Sequence, residues 1–187
     1  MFSLLYPPEP APLMGPRTEA SGTIPVIEPG GLVVGRAGRA FLHGGSMLLH
    51  PVVHLHIINR ESKIYLQRRG KDKDTFPLLW DTAVGGHVAY GEQMEEALYR
   101  EAAEELGFRL FNPVFIGACE FQRAGERELA GVYAAISSQT PRPDGFEVAE
   151  GRWWTDAEIS EALGEGLLTP VFEQEYSRIK DALFSLL

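Results

Sequence analysis

The sequence predicts an α+β fold, a mixed β-sheet covered by helices. Three observations carry this reading. The segment 92–106 is dominated by Glu, Ala, Leu, Met and Arg, all strong helix formers, and Gly107 follows where a C-terminal cap belongs. Short apolar runs bounded by Gly, Pro and Asn flank it on both sides. Two segments with N-terminal capping residues close the chain.

The elements follow in order. Residues 1–21, broken by Pro7, Pro8, Pro10 and Pro12, read as a Pro-rich arm outside a domain spanning 22–187. "TIPVIEPGGLVVG" reads as two short strands around a Pro29-Gly30-Gly31 turn. "HPVVHLHIIN" alternates His50, Val52, His54, His56 and Ile58 on one face with Pro51, Val53, Leu55 and Ile57 on the other. "KIYLQRR" (63–69) is a further strand, followed by the charged loop "GKDKDTFPLLW". After the central helix, "VFIGACEFQ" and "LAGVYAAIS" flank the polar "RAGERE" as a hairpin. "EVAEGRWWT" makes another strand, and Thr155-Asp156-Ala157-Glu158 is a capping box that starts a short helix. Thr169 with Pro170 opens the last helix, whose Phe172, Tyr176, Ile179 and Leu183 form one stripe.

A chain of 187 residues, 44% hydrophobic and 23% charged, can bury one sizeable core, so a single domain is the default. The net charge of -9 argues against a partner such as duplex nucleic acid, which needs a basic face, and in favour of a small-molecule ligand. Cys119 is the sole cysteine and cannot form an internal disulfide. No apolar run is long enough for a membrane span, and the broken N-terminus does not suit a signal peptide, so a cytoplasmic location is expected.

The central helix raises the chemical question. Spacings of three and four place Glu101, Glu104 and Glu105 as neighbours. Like charges so placed are unfavourable by about 0.2–0.5 kcal/mol per pair when exposed, and by more where solvent is excluded. A divalent cation reverses that sign, and oxygen-only ligands that share the ion with phosphate suit Mg²⁺. A merely solvated acidic face would need basic partners, yet Arg100 is the one Lys or Arg between Glu92 and Phe108.

The same stretch resembles the Nudix box, G-x5-E-x7-R-E-U-x-E-E-x-G-U, with U a bulky apolar residue. Gly86, Glu92, Arg100, Glu101, Glu104, Glu105, Gly107 and Phe108 occupy its fixed positions, and Ala102 is smaller than the usual U. The resemblance implies an α/β/α sandwich with a mixed sheet and a Mg²⁺- or Mn²⁺-dependent hydrolase that cleaves a diphosphate linkage in a small nucleotide or other X-diphosphate. It implies metal on Glu101, Glu104, Glu105 and the Gly86 carbonyl, with Glu101 or Glu105 assisting water attack. Arg100 would orient the glutamates, and Glu92 would support the helix start or the metal.

"HPVVHLHIIN", "GKDKDTFPLLWDT" and "GGHV" are further similar to the isopentenyl-diphosphate isomerase branch of that superfamily. This resemblance implies a second metal site at His43, His50, His87, Glu126 and Glu128. The isomerases also need a cysteine before the Gly-His pair, where this chain has Gly85, and they carry a degraded box, so hydrolysis is favoured over isomerisation. A third reading is a non-catalytic module that binds a diphosphate ligand.

Arg68, Arg69, Lys71 and Lys73 are candidates to clasp phosphate. Glu147 and Glu150 are either an added base or metal ligand or exposed loop acids. Trp80, Trp153 and Trp154 read mainly as core or rim aromatics, and His54 and His56 as a packed or hydrogen-bonded strand face. The arm and the last helix are the contact elements of an expected homodimer.

Overall fold

The computed structural model describes residues 2–16, 22–123 and 125–187. The chain forms two compact units, each assembled from separated segments. Unit 1 comprises Met1–Val53, Gly86–Leu98 and Gly117–Gly131; unit 2 comprises His54–Gly85, Tyr99–Ile116 and Val132–Leu187.

The strands are β1 (Ile24–Ile27), β2 (Val33–Ala37), β3 (Leu49–Ile58), β4 (Lys63–Arg69), β5 (Trp80–Asp81), β6 (Val84–His87), β7 (Val114–Arg123), β8 (Glu126–Ile136) and β9 (Val148–Thr155). The helices are α1 (Arg39–Phe41), α2 (Met94–Leu106), α3 (Asp156–Ala162) and α4 (Pro170–Phe184), and an irregular turn at Leu42–Ser46, with non-helical backbone at Gly44 and Gly45, follows α1. In the mixed main sheet the strand order is β5-β4-β3-β8-β7, with β6 on β3 and β9 on β4. This is the α+β architecture expected from the sequence.

In unit 1, β1 and β2 form an antiparallel hairpin, Ile24 opposite Ala37, with a bulge after Val26. Ile24, Val26, Ala37 and Leu42 make its small core. The segment read as an arm outside the fold is tied into this unit. The N–H groups of Leu5 and Val33 donate to Gly31 and Leu5 at 2.9 Å, and those of Met14 and Arg36 to Arg36 and Pro12 at 2.8 and 2.9 Å. Prolines remove donors, but the residues on either side of them still pair with β2 and the turn before it. Gly31 permits the approach, because a Cβ there would stand 2.6 Å from the Ser3 carbonyl oxygen. Met1 and residues 17–21 of that segment lie outside the described residues.

In unit 2, β4 pairs antiparallel with β9 from Lys63–Thr155 to Arg69–Val148. Ile58, Ile64, Leu66, Trp154, Ile159, Phe172, Tyr176 and Leu183 form the core between these strands and helices α3 and α4. Both C-terminal helices are capped as their sequences predict: Thr155 and Glu158 form the reciprocal box, and the Thr169 side chain accepts from the Phe172 N–H. Trp154 is buried with Trp80 edge-on at 5.2 Å, and Tyr65 meets Trp153 edge-on at 5.3 Å.

Candidate functional site

Helix α2 begins two residues later than its composition suggests, at Met94. The preceding turn is closed by the Glu92 carboxylate, which accepts the Ala89 N–H at 2.9 Å, and Gly91 takes φ of +96°. Gly107 ends the helix at φ +58°, the left-handed conformation that favours glycine.

The three glutamates do not share one environment. Adjacent in sequence, Glu104 and Glu105 stand about 100° apart around the axis and point in different directions. Glu105 is 3% exposed, whereas the Glu104 side chain is 61% exposed and Glu101 is largely buried. Arg100 Nη1 donates to Glu101 at 2.7 Å and to Glu104 at 3.3 Å, the orienting bridge implied by the box. Burial pushes the Glu101 carboxyl up, against the lowering effect of Arg100.

Glu105 is pushed up to about 8, first by burial and further by the charges of Glu101 and Glu147; Lys73 and the Gly85 N–H act in the opposite direction. Its Oε2 is buried and, among the described residues, accepts no hydrogen bond. The unsatisfied buried oxygen of Glu105 is the hard donor that a divalent cation takes, but among the described residues the ligating atoms of Glu101, Glu104 and Glu105 are not gathered into one cluster.

The basic candidates behave differently from one another. Lys73 is ion-paired with Glu147 and acts on the Glu105 carboxyl. Arg68 donates to the Leu78 carbonyl at 2.9 Å and to Glu150 at 2.8 Å. Arg69 ties down its loop through the Thr75 carbonyl at 3.0 Å and Asp81 at 3.4 Å, and Lys71 is exposed.

A second centre stands in unit 1. His43, on the irregular turn at 42–46 that sequence patterning missed, joins His50, His87 and Glu128, their ligating atoms all within 4.8 Å of one another. The fifth predicted member, Glu126, stands behind them: its Oε2 lies 2.7 Å from His43 Nδ1, the position of a carboxylate that orients a ligating imidazole. The Nδ1–H of His50 donates to the Leu48 carbonyl at 3.0 Å, which leaves Nε2 as the lone-pair atom, buried and without a hydrogen bond among the described residues. Burial also lowers the His50 pKa, which favours the neutral ring. Arg123 pairs with Glu126 and, at 3.0 Å, with Glu128. Three imidazoles and a carboxylate with an orphaned nitrogen fit a divalent transition metal.

Glu175 is a residue that sequence reasoning passed over. It is fully buried on α4 and holds both His54 and His56. A carboxylate three residues after Phe172 and four before Ile179, inside the apolar stripe, was the available signal.

The family model of the NUDIX domain matches residues 48–172, two thirds of the chain, with the whole box inside it. The chain belongs to the Nudix family. Among the proteins it resembles, the isopentenyl-diphosphate Delta-isomerase of Leifsonia xyli subsp. xyli is 35% identical over 131 residues, covering 66% of this chain and 71% of the relative. The isopentenyl-diphosphate Delta-isomerase of Brevibacterium linens is 31% identical, covering 74% and 79%. The fold matches DR0079 from Deinococcus radiodurans with a TM-score of 0.74 at 23% identity, over 83% of this chain and 98% of that one. The MutT NUDIX hydrolase from Burkholderia pseudomallei aligns with a TM-score of 0.57 at 25% identity, over 67% and 94%.

Proposed function

We propose that this Nudix protein is a divalent-metal-dependent hydrolase that cleaves a diphosphate linkage in a small nucleotide or other X-diphosphate by attack of water on phosphorus. The observation that carries the reading is Glu105. A carboxyl pushed up to about 8 beside Glu101 and Glu147, with one buried oxygen unsatisfied, is a site whose ionised form requires an added positive charge.

Glu101, Glu104, Glu105 and the Gly86 carbonyl would hold Mg²⁺ or Mn²⁺, and such an ion supplies neutralisation of the phosphate oxygens. Arg100 fixes the rotamers of Glu101 and Glu104, so the carboxylates are placed before substrate arrives. Glu101 or Glu105 accepts the proton of the attacking water, a role suited to a carboxyl raised toward neutrality. Glu92 holds the turn that leads into α2. Lys71 offers a point charge to phosphate, while Lys73, Arg68 and Arg69 would first have to leave Glu147, Glu150 and Asp81. His43, His50, His87 and Glu128, with Glu126 behind, would bind a second ion.

A screen of nucleoside triphosphates, nucleotide sugars, dinucleoside polyphosphates and coenzyme diphosphates with Mg²⁺ and then Mn²⁺ tests the reading. Metal-dependent release of phosphate products that Glu105→Gln abolishes is expected; turnover untouched by that substitution overturns it.

The histidine centre and the relatives named as isomerases favour a second reading, a prenyl-diphosphate isomerase. Gly85 weighs against it. A Cβ at this position would meet nothing closer than 3.6 Å, so contact with a Cβ does not impose the glycine, and the thiol that the isomerase branch needs there is missing. Conversion of isopentenyl diphosphate to the dimethylallyl isomer would reverse the preference.

A further inference from the structure

The N-terminal segment, expected to lie outside the domain, holds the entry to the box helix. Residues 90–93 lead into α2, and each is bonded to Leu4, Tyr6, Ala11 or Thr23, all within unit 1. The Tyr90 N–H donates to the Thr23 carbonyl at 2.8 Å, and the Tyr90 hydroxyl accepts the Ala11 N–H at 2.7 Å. Gln93 exchanges two hydrogen bonds with the Leu4 backbone. Tyr6 and Tyr90 meet edge-on with ring centroids 5.4 Å apart.

The hydroxyl of Tyr6 bonds two adjacent residues of the turn. It accepts the Gly91 N–H at 3.0 Å and donates to the Glu92 carbonyl at 2.8 Å, so its hydrogen and one lone pair are both committed there. Backbone groups just ahead of a helix have no helical partner and must find one elsewhere. Gly91 needs such a partner more than most. It takes φ of +96°, a Cβ there would meet nothing within 4 Å, and glycine has wide torsional freedom, so neither packing nor its own side chain fixes the backbone.

The turn is short and closed. The Glu92 N–H donates to the Ala89 carbonyl at 3.0 Å, its carboxylate accepts the Ala89 N–H at 2.9 Å, and the Val88 N–H donates to the Pro51 carbonyl at 3.3 Å. Segment 86–92 therefore carries Gly86 and His87, a candidate ligand of each metal centre, at one end, and the two residues gripped by Tyr6 at the other.

We infer that Tyr6 is a positioning residue for metal binding: its hydroxyl fixes the backbone of Gly91 and Glu92, and through them the 86–92 segment that offers ligands to the metal. The inference rests on the diphosphate hydrolase reading and adds to it a residue from outside the box. Tyr6 acts through the turn and is assigned no contact with metal or substrate.

Mn²⁺ titration of the full-length protein, followed by electron paramagnetic resonance at a temperature where circular dichroism shows every variant folded, tests this. Tyr6→Phe should weaken Mn²⁺ about tenfold, the scale of loss when a group behind a ligand is removed. Tyr176→Phe is the control: it also removes one bonded hydroxyl, which donates to Asp156 at 2.8 Å in unit 2, and should leave Mn²⁺ affinity unchanged. Unchanged affinity in Tyr6→Phe overturns the inference, and so does an equal loss in both variants, which would mark general loosening. Coupling is reciprocal, so Mg²⁺ should slow amide exchange at Gly91 in the wild type by about the same factor. Exchange that ignores the metal overturns the inference whatever the variants do. With a diphosphate that the screen identifies, Tyr6→Phe should raise the Mg²⁺ needed for half-maximal turnover and leave the substrate KM at saturating metal unchanged. A wild type that cleaves diphosphate while its metal affinity is indifferent to Tyr6 sinks this inference alone; one whose metal affinity depends on Tyr6 but that cleaves no diphosphate sinks the hydrolase reading alone.

Discussion

The Nε2 atoms of His43 and His87 stand 2.9 Å apart, so one ring donates the hydrogen that the other accepts. A metal ion and that hydrogen compete for the same lone pairs: a neutral ring can move it to Nδ1, where Glu126 faces His43, and a protonated ring must release it to bind. Calorimetry with Mn²⁺ in buffers of different ionisation enthalpy should detect this release, with affinity falling from pH 8 to pH 5.5. His87→Ala or Glu128→Ala should weaken binding at least ~10-fold, and Glu126→Ala by ~10–100-fold through His43. His50 contributes a stability term of its own. Its folded pKa lies below 6.5, so stability is full above that pH and is lost as pH falls toward the folded value.

Glu105 makes the opposite contribution to stability. Its folded pKa is about 8 against an ordinary 4.5, so its contribution is complete below about pH 4.5 and is lost as pH rises through about 8. Metal-free Glu105→Gln should match the wild type at pH 5 and melt higher at pH 9, each kcal/mol appearing as about 2–4 °C in Tm. Saturating Mg²⁺ should reverse the order, and turnover should fall by ~10²–10⁴. A variant less stable than wild type at pH 9 without metal would contradict this account.

Arg100 makes two hydrogen bonds to two carboxylates from a single Nη1. Lysine retains the charge and loses the planar donor group. Arg100→Lys should therefore keep a near-wild-type melting temperature while kcat/KM drops by ~10–100-fold, with the Mg²⁺ requirement shifted to higher concentration. Steady-state kinetics against Mg²⁺ would check it.

Gly70 and Gly85 should respond oppositely to alanine. A Cβ at Gly70 would stand 2.1 Å from the Phe146 carbonyl oxygen, in the backbone that carries Glu147 toward Lys73. One at Gly85 would make ordinary contact with His54 at 3.6 Å. Gly70→Ala should cost ~1–3 kcal/mol as an overpacked site, and Gly85→Ala less than ~1 kcal/mol. Urea denaturation of both variants decides the point.

Removal of residues 1–16 should destabilise the protein. Leu4 and Ala11 are buried at 3% exposure, and Gln93 exchanges hydrogen bonds of 3.0 and 3.1 Å with the Leu4 backbone. Burying a leucine side chain contributes ~1.5–3 kcal/mol, so the truncated chain should melt several degrees lower. An unchanged melting temperature would show these contacts to be energetically idle.

Local chemistry made much of this molecule legible in one dimension. The strand at 63–69, the capping box at Thr155, the Pro170 helix start and the spacing of Glu92, Arg100, Glu101, Glu104 and Glu105 depend on interactions within a few residues, and each is found where the pattern places it. The turn that presents His43 was not legible, because Gly44 and Gly45 carry no helix signal and their backbone is non-helical.

The order of residue types along the chain was enough to establish the family, the α+β class and which acids belong to the box, since these follow from spacing and helix periodicity. Tertiary structure alone decided that Glu105 is buried while Glu104 meets solvent, that Glu126 backs His43, and that Glu175 reaches His54 across 121 residues. The reason is physical. Burial and charge pairing depend on which surfaces the sheet and helices bring together, and strand pairing across long separations has no local signature.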